Sequence, residues 1–192
     1  MFGTPCPDAI FSVLESAAGK AFPRIIADEV TGPLALESVE PEVQGAIIPQ
    51  RVCDYQPFRS AGPQTGIRRC RPMNPAYKLA GGGLLGDAPD IARFGGAFAR
   101  PGYLTAEALA DMARPHPPRL DPPAVAVGVG WRIDQDGQGR RRLHHIGSIV
   151  GGRSILLVLP DQAMSVAILT NLGEIDVDPV TPAQRIADAF LA

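Results

Sequence analysis

Cysteine is scarce in this sequence: Cys6, Cys53 and Cys70 are its three, and none belongs to a Cys-x-x-Cys pair. An odd number at wide spacing excludes a disulfide framework and a thiolate metal site, and fits a reducing, cytoplasmic setting. Long apolar runs are missing too. The longest, Ile155 to Leu159, is far shorter than the roughly 20 residues a membrane helix needs, so no membrane span or membrane partner is expected. The start, MFGTPCPDAIF, has no basic stretch ahead of an apolar one and does not read as a secretory signal. Neither sign of charge is in excess. Lys+Arg 18 against Asp+Glu 20 leaves a net −2, too weak a field to hold a polyanion, and nucleic acid is not an expected partner. What is abundant is glycine (21) and proline (20) among 192 residues, about double ordinary usage, so many turns and loops are expected. The length suits one domain with its own core.

Periodicity organises the chain into three stretches. Ile10, Phe11, Leu14, Ala17 and Ala18 recur at helical spacing, with Pro7 suited to a first turn and Gly19 to a left-handed cap, so a helix is expected over about 7–18. A shorter helix follows over about 23–30, stopped by Gly32-Pro33. From about 35 to 78 prolines remove any period, which reads as a surface excursion with room for a small hairpin. Order returns at Gly81-Gly82-Gly83. Asp87 then caps a helix carrying Ile91, Phe94 and Phe98, and Thr105 caps another, with Leu104 and Leu109 placed as a hydrophobic staple. Residues 114–123 read as a Pro-rich linker.

The clearest block is 125–171. Val125 to Ile133 alternates apolar with small residues, DQDGQG supplies a loop, and Arg140 to His145 leads toward a glycine-rich turn. Ser154 to Leu159 and Met164 to Thr170 read as strands about a Pro160-Asp161-Gln162 turn, and a three-stranded antiparallel sheet is expected. The unbroken apolar run 155–159 calls for cover on both faces, hence helices on either side. Thr181 is the expected cap of a last helix, with Ile186 and Phe190 facing inward. The fold class is α/β (α+β).

No self-contained catalytic set emerges from spacing. His116, His144 and His145 are the only histidines, with no carboxylate at ligand spacing, so no metal site and no cofactor are expected. Gly81-Gly82-Gly83 lacks the Gly-Lys-Ser/Thr of a phosphate loop. The Arg68-Arg69-Cys70-Arg71 and Arg140-Arg141-Arg142 runs read as solvated faces. Ser148 lacks the glycine two residues before it that a nucleophile elbow requires, Ile146 standing there instead.

The stretch from His144-His145-Ile146-Gly147-Ser148 through Gly151-Gly152-Arg153-Ser154 to Pro160 resembles the third-motif strand of the serine β-lactamase-like superfamily, in its class C, carboxylesterase and mitochondrial β-lactamase-like branch. Other segments agree in order: Glu15 to Phe22 with Gly32-Pro33-Leu34; Tyr77 to Gly83 with Asp90 to Phe94; Val127 to Trp131; and Thr170-Asn171. The resemblance implies a partial β-lactamase/transpeptidase-like fold, an antiparallel sheet flanked by helices with the N-terminal part missing, in one partial domain: 1–34 helical, 35–78 the excursion, 79–192 helices, sheet and last helix. It also implies an unpaired sheet edge and an uncovered apolar face, because in the family the N-terminal part adds strands to the same sheet.

The chemistry implied is acyl transfer, in which a serine of Ser-x-x-Lys attacks a carbonyl and a Lys/His-x-Gly strand lines the pocket and lends an oxyanion-hole amide. By position, His145 and Gly147 fall on that strand, and the backbone N–H of Ser148 on the oxyanion donor. A glycine at 147 leaves room for substrate along the strand. The bland alternative for His145 is a hydrogen-bonded strand histidine without a role. Three departures follow. No serine has a lysine three residues on. Phe2-Gly3-Thr4 stands where the family has Tyr-x-Asn, so Phe2 lines the pocket without a phenolic oxygen. Ile146 stands between His145 and Gly147, where it is expected to crowd the pocket and cannot bind a substrate carboxylate. The chain is therefore expected to be inactive alone, with a small ester or amide as substrate of any completed site, and a homo-oligomer or a complementing N-terminal chain as partner. Alternatives are a non-catalytic binding or assembly module on the same fold, and an esterase with Ser148 or Cys6 as an improvised nucleophile.

Overall fold

A computed structural model of the protein describes residues 7–43, 45–58, 66–71, 79–115, 125–173 and 178–192. Helix α1 (Pro7–Ala18) ends where Gly19 takes a φ of 63° and donates its N–H to the Glu15 carbonyl at 2.8 Å. Helix α2 (Phe22–Ile26) continues as a π-helical turn, Ala27–Thr31, so the second helix runs about as far as its apolar spacing predicts but in a wider winding at its end. Strand β1 (Glu40–Pro41) pairs with β4 (Leu84–Leu85), which follows the short helix α3 (Leu79–Gly82). The Pro-rich excursion holds the hairpin it had room for: β2 (Tyr55–Phe58) pairs antiparallel with β3 (Gly66–Arg69).

Helix α4 (Ala88–Gly96) is capped by Asp87, whose Oδ1 accepts the Asp90 N–H at 2.9 Å, and α5 (Ala106–Met112) by Thr105, whose Oγ1 accepts the Ala108 N–H at 3.1 Å. Both caps are where Asp and Thr side chains satisfy donors that the first helical turn leaves free. Asp90 is itself buried. Its carboxylate accepts from the Ser38 N–H and Oγ–H, each at 2.7 Å, and ion-pairs with Arg93, tying the 35–38 turn onto α4.

The main sheet has five strands rather than three, in the order β5 (Ala126–Val127), β6 (Arg132–Gln135), β7 (Arg141–Ile149), β8 (Gly152–Leu159), β9 (Met164–Thr170), all antiparallel. The 125–133 stretch, which alternates as a single segment, divides into β5 and β6 because Gly128 and Gly130 sit between them. Gly130, at a φ of 76°, makes the reversal, and Gly128 lies so close to α5 that a Cβ there would run into the Met112 carbonyl oxygen. Strand β8 is covered on both faces, as its apolar run requires: Leu157 and Val158 are 0% exposed on opposite sides.

On one face α4, α5 and their flanks close a cluster of Phe98, Trp131, Ile133, Leu143, Leu156 and Val158. Leu104 and Leu109, the staple pair, pack against it. Phe98 stands edge-on between Phe94 and Trp131, with centroids 5.0 Å apart in both pairs. On the other face α6 (Val180–Leu191) rests on β8 and β9 through Ala183 and Ala187, both 0% exposed, over Ile155, Leu157, Leu159 and Val166. Two expectations for α6 are corrected. Its N-terminus is held by Asp178, whose carboxylate accepts from the Val180 and Thr181 N–H groups and from the Thr181 hydroxyl, so Thr181 is a partner of the cap rather than the cap. Ile186 and Phe190 do not face inward: they are 41% and 78% exposed. Small alanines let the helix lie close on the sheet, and the two bulky residues are left exposed.

Candidate active site

Strand β7 carries the expected site residues, and its register fixes their faces. Strand β6 pairs only with its first half, from Arg141 to His144, so along that edge 145–149 meets no strand among the described residues. The other edge pairs throughout with β8: His145 opposite Leu156, Ile146 opposite Ile155, Gly147 opposite Ser154, Ser148 opposite Arg153. Directly opposed residues share a face, and successive ones alternate. His145 and Gly147 therefore lie on the α4/α5 face with Ser154 and Leu156, whereas Ile146 and Ser148 lie on the α6 face with Ile155 and Arg153.

This placement revises one residue outright. Ile146 packs against the cluster beneath α6, so its side chain does not crowd the face that carries His145. Gly147 acquires a second reason to be glycine: a Cβ there would collide with the Ser154 hydroxyl. Sequence reasoning missed that neighbour, because the period of two places residue 154 beside 147 only once the β7–β8 register is known. Phe2, Cys6 and Thr4 lie outside the described residues.

The two adjacent histidines have opposite surroundings. His145 is exposed, and partial burial, reinforced by the charge of Arg132, pulls its imidazole below the usual 6.5. His144 is 3% exposed, with neither ring nitrogen hydrogen-bonded; its Nε2 is 3.5 Å from Asp134 Oδ2. Burial is the main force lowering its pKa, opposed by Asp134 and assisted by Arg142. Asp134 is already engaged by Arg142, through Nε at 2.7 Å and Nη2 at 2.8 Å, in a bidentate pair. At neutral pH both imidazoles are uncharged, so His145 can accept a proton or a hydrogen bond, whereas His144 is a wall residue on the reverse side.

A nucleophile with its base does not assemble among the described residues. The lysines of the chain are Lys20, bound to Asp28 at 2.8 Å, and Lys78, outside the described residues. Ser38 and Ser165 spend their hydroxyl protons on Asp90 and on the Ala92 carbonyl. No group of three or more His, Cys, Asp or Glu among the described residues is arranged to hold a metal ion, and no helix among them is long and apolar enough to cross a membrane.

With that geometry in place, relatives supply the lineage. The sequence profile of the Beta-lactamase family matches residues 10–190. The mouse protein named serine beta-lactamase-like protein LACTB, mitochondrial, is 32% identical over 117 residues, which are 48% of this chain and 21% of that protein. The chain thus spans about a fifth of the length of the curated relatives it matches. Among solved structures, a D-amino acid amidase from Ochrobactrum anthropi is similar with a TM-score of 0.77 and 20% identity, over 95% of this chain and 56% of that one. An octameric penicillin-binding protein homologue from Pyrococcus abyssi gives a TM-score of 0.76 and 18% identity, over 95% and 40%. At such identities the structures speak for the fold, which is that of the β-lactamases and transpeptidases, and the profile match for descent. The His-x-Gly strand at 145–147, the sheet with helices on both faces and the near full-length profile match together make this chain a member of the serine β-lactamase-like superfamily.

Proposed function

We propose that β7 from His145 to Ser148 forms one wall of an acyl-transfer pocket for a small carboxylic ester or amide, and that the chain is inactive by itself. The observation that carries this reading is the edge of β7 that pairs with no strand among the described residues, which begins at His145 and includes Gly147, where an extended acyl group can lie against backbone. His145 lines the pocket as a neutral imidazole. The Ser148 N–H is the oxyanion donor, and Phe2, which by the resemblance falls where the family has the tyrosine of Tyr-x-Asn, has no hydroxyl proton to give. Ile146 takes part through its backbone only. The names of the relatives, a β-lactamase-like protein and an amidase, support an ester or amide as the substrate class.

Inactivity follows from the missing Ser-x-x-Lys. Nucleophile and base act as a unit, and without them only about 10³- to 10⁴-fold over water is left from binding and the oxyanion hole. The nucleophile would come from a complementing N-terminal chain. The test exposes the full chain to a fluorophosphonate and, separately, to a chromogenic ester and a chromogenic cephalosporin. No covalent adduct and no burst are expected; an adduct mapped to Ser148 or Cys6 would make this an esterase with an improvised nucleophile and end the proposal. A second reading, a self-associating module on the same fold, is favoured by the exposed Phe190 and Ile186 beside an edge strand.

A further inference from the structure

We infer that α6 is an acid-released cover on the sheet: protonation of His144 opens the polar anchor that ties α6 to β7, and the helix lifts while the α4/α5 face stays closed. The device sits on the reverse of the site strand, and it stands or falls without regard to any nucleophile at the front.

His144 is the starting point because its surroundings do not serve it. It is 3% exposed, and neither ring nitrogen has a hydrogen-bond partner among the described residues. A neutral ring tolerates this far better than an imidazolium, which carries a charge and two N–H donors. The groups that face it come from four elements. On β6, Arg132 stands directly opposite and Asp134 lies two residues on. On β7 its same-face neighbour is Arg142, and on β8 the residue opposite is Leu157, uncharged and 0% exposed. Helix α6 brings Gln184 and Asp188 to the seam, with Arg140 paired to Asp188. Asp178, just ahead of α6, also feels the Arg142 charge. Arg132 and Arg142 thus repel a proton on His144, and Asp134 attracts it.

Asp134 is already engaged. Its carboxylate holds Arg142 through Nε at 2.7 Å and Nη2 at 2.8 Å, while His144 Nε2 stands 3.5 Å from Oδ2. Arg142 donates from Nη1 to Gln184 Oε1 at 3.4 Å, Gln184 Nε2 donates to Asp188 Oδ1 at 2.9 Å, and Asp188 pairs with Arg140. A proton taken from solvent by His144 turns Oδ2 toward Nε2–H and away from Arg142 Nη2. The fork that steadies the guanidinium then opens, and its contact with Gln184 goes with it. The Nδ1–H still needs an acceptor, which solvent supplies once α6 moves aside.

The helix is also the cover that leaves most readily. It meets the sheet through Ala183 and Ala187, whose side chains bury little apolar area, whereas Phe98 and Trp131 close the other face. Burial lowers the proton affinity of His144 in the closed form, so the open form takes the proton first. Ile146 packs in the cluster beneath α6, and the opening therefore reaches the strand that carries His145.

The experiment is hydrogen exchange of the full chain at about pH 7.5 and about pH 5.5, corrected for intrinsic rates and repeated in urea below about 1 M. The α6 amides should be less protected than those of α4 and nearly indifferent to urea, the mark of an opening smaller than global unfolding. An imidazole that regains its ordinary pKa of about 6.5 on opening raises the open population by up to about tenfold at the lower pH, so α6 protection should fall by that factor. His144→Gln and, separately, His144→Leu take no proton and should abolish the fall, whereas His145→Gln, on the opposite face, should keep it. Equal protection and equal urea dependence in α4 and α6 would overturn the inference, because the helix would then open only with the whole domain. So would α6 protection that is the same at both pH values, or a fall that persists in either folded His144 variant.

Discussion

The two faces of the central sheet are closed by different means. On the α4/α5 face large rings do the covering: Phe94, Phe98 and Trp131 interlock edge to face over Ile133, Leu143 and Leu156. On the α6 face the contact is made by Ala183 and Ala187, and beside them lies a polar seam of His144, Asp134, Arg142, Arg140 and Asp188. Aromatic residues reach across a gap and bury area wherever they point. Alanines bring a helix close but cover only what is directly beneath, so the rest of α6 depends on what the sheet extends under it. Among the described residues, one face is closed by buried rings and the other leaves Phe190 78% exposed.

That contrast can be broken at its strongest point first. Trp131→Ala should cost about 3–5 kcal/mol in urea denaturation, the range for a buried aromatic replaced by alanine, while Phe190→Ala at low protein concentration should stay within about 0.5 kcal/mol. Equal losses would mean that α6 is as well covered as α4. Next, Gly128→Ala should destabilise by about 1–3 kcal/mol, because the new Cβ meets the Met112 carbonyl oxygen and backbone cannot step aside as a flexible side chain would. Gly147→Ala should cost less, because its obstacle is a small hydroxyl, and Ser154→Ala in the same chain should restore most of the loss, a coupling that separates crowding from any role in substrate binding. Asp178→Ala should cost about 1 kcal/mol, the value of a helix cap, and lower α6 helicity in circular dichroism.

Acidification sharpens the comparison with the smallest and most gradual effect. His144 has a folded pKa below its unfolded 6.5, so between the two values the unfolded chain holds more protons and stability rises with pH. Stability is therefore fully present above 6.5 and is lost as pH falls through that window. His145 shifts in the same direction, for burial and Arg132. Asp90, held below 3.8 chiefly by the Ser38 hydrogen bonds, adds a second loss only below that value, on the other face. His144→Leu should flatten the upper step in denaturation midpoints measured from pH 8 to 5 and leave the lower one. An unchanged upper step would assign it to His145.

The elements whose ends carry their own chemistry were legible without coordinates. Gly19, Asp87 and Thr105 mark their helices by local hydrogen bonding, and the hairpin within 35–78 was foreseen as a possibility between prolines. The site strand was legible too, though only in part. Its residues were found, but not that Ile146 turns away from His145 or that Ser154 comes alongside Gly147, because both depend on which strand pairs with which and in what register. The inward placement of Ile186 and Phe190 failed for a related reason: an amphipathic pattern gives the apolar side of a helix, not whether anything lies under it.

By itself the sequence determined the family, the helix ends, the doubly covered strand at 155–159 and the lack of a Ser-x-x-Lys, since each is written in residue types at fixed local spacing. Only the tertiary structure decided the five-strand order, the edge at 145–149 that no described strand pairs, the burial of His144 against the exposure of His145, and the exposure of Ile186 and Phe190 on α6. These depend on register and on where the sheet stops, and pairing between distant segments is set by the sum of many weak contacts rather than by any one stretch of chain.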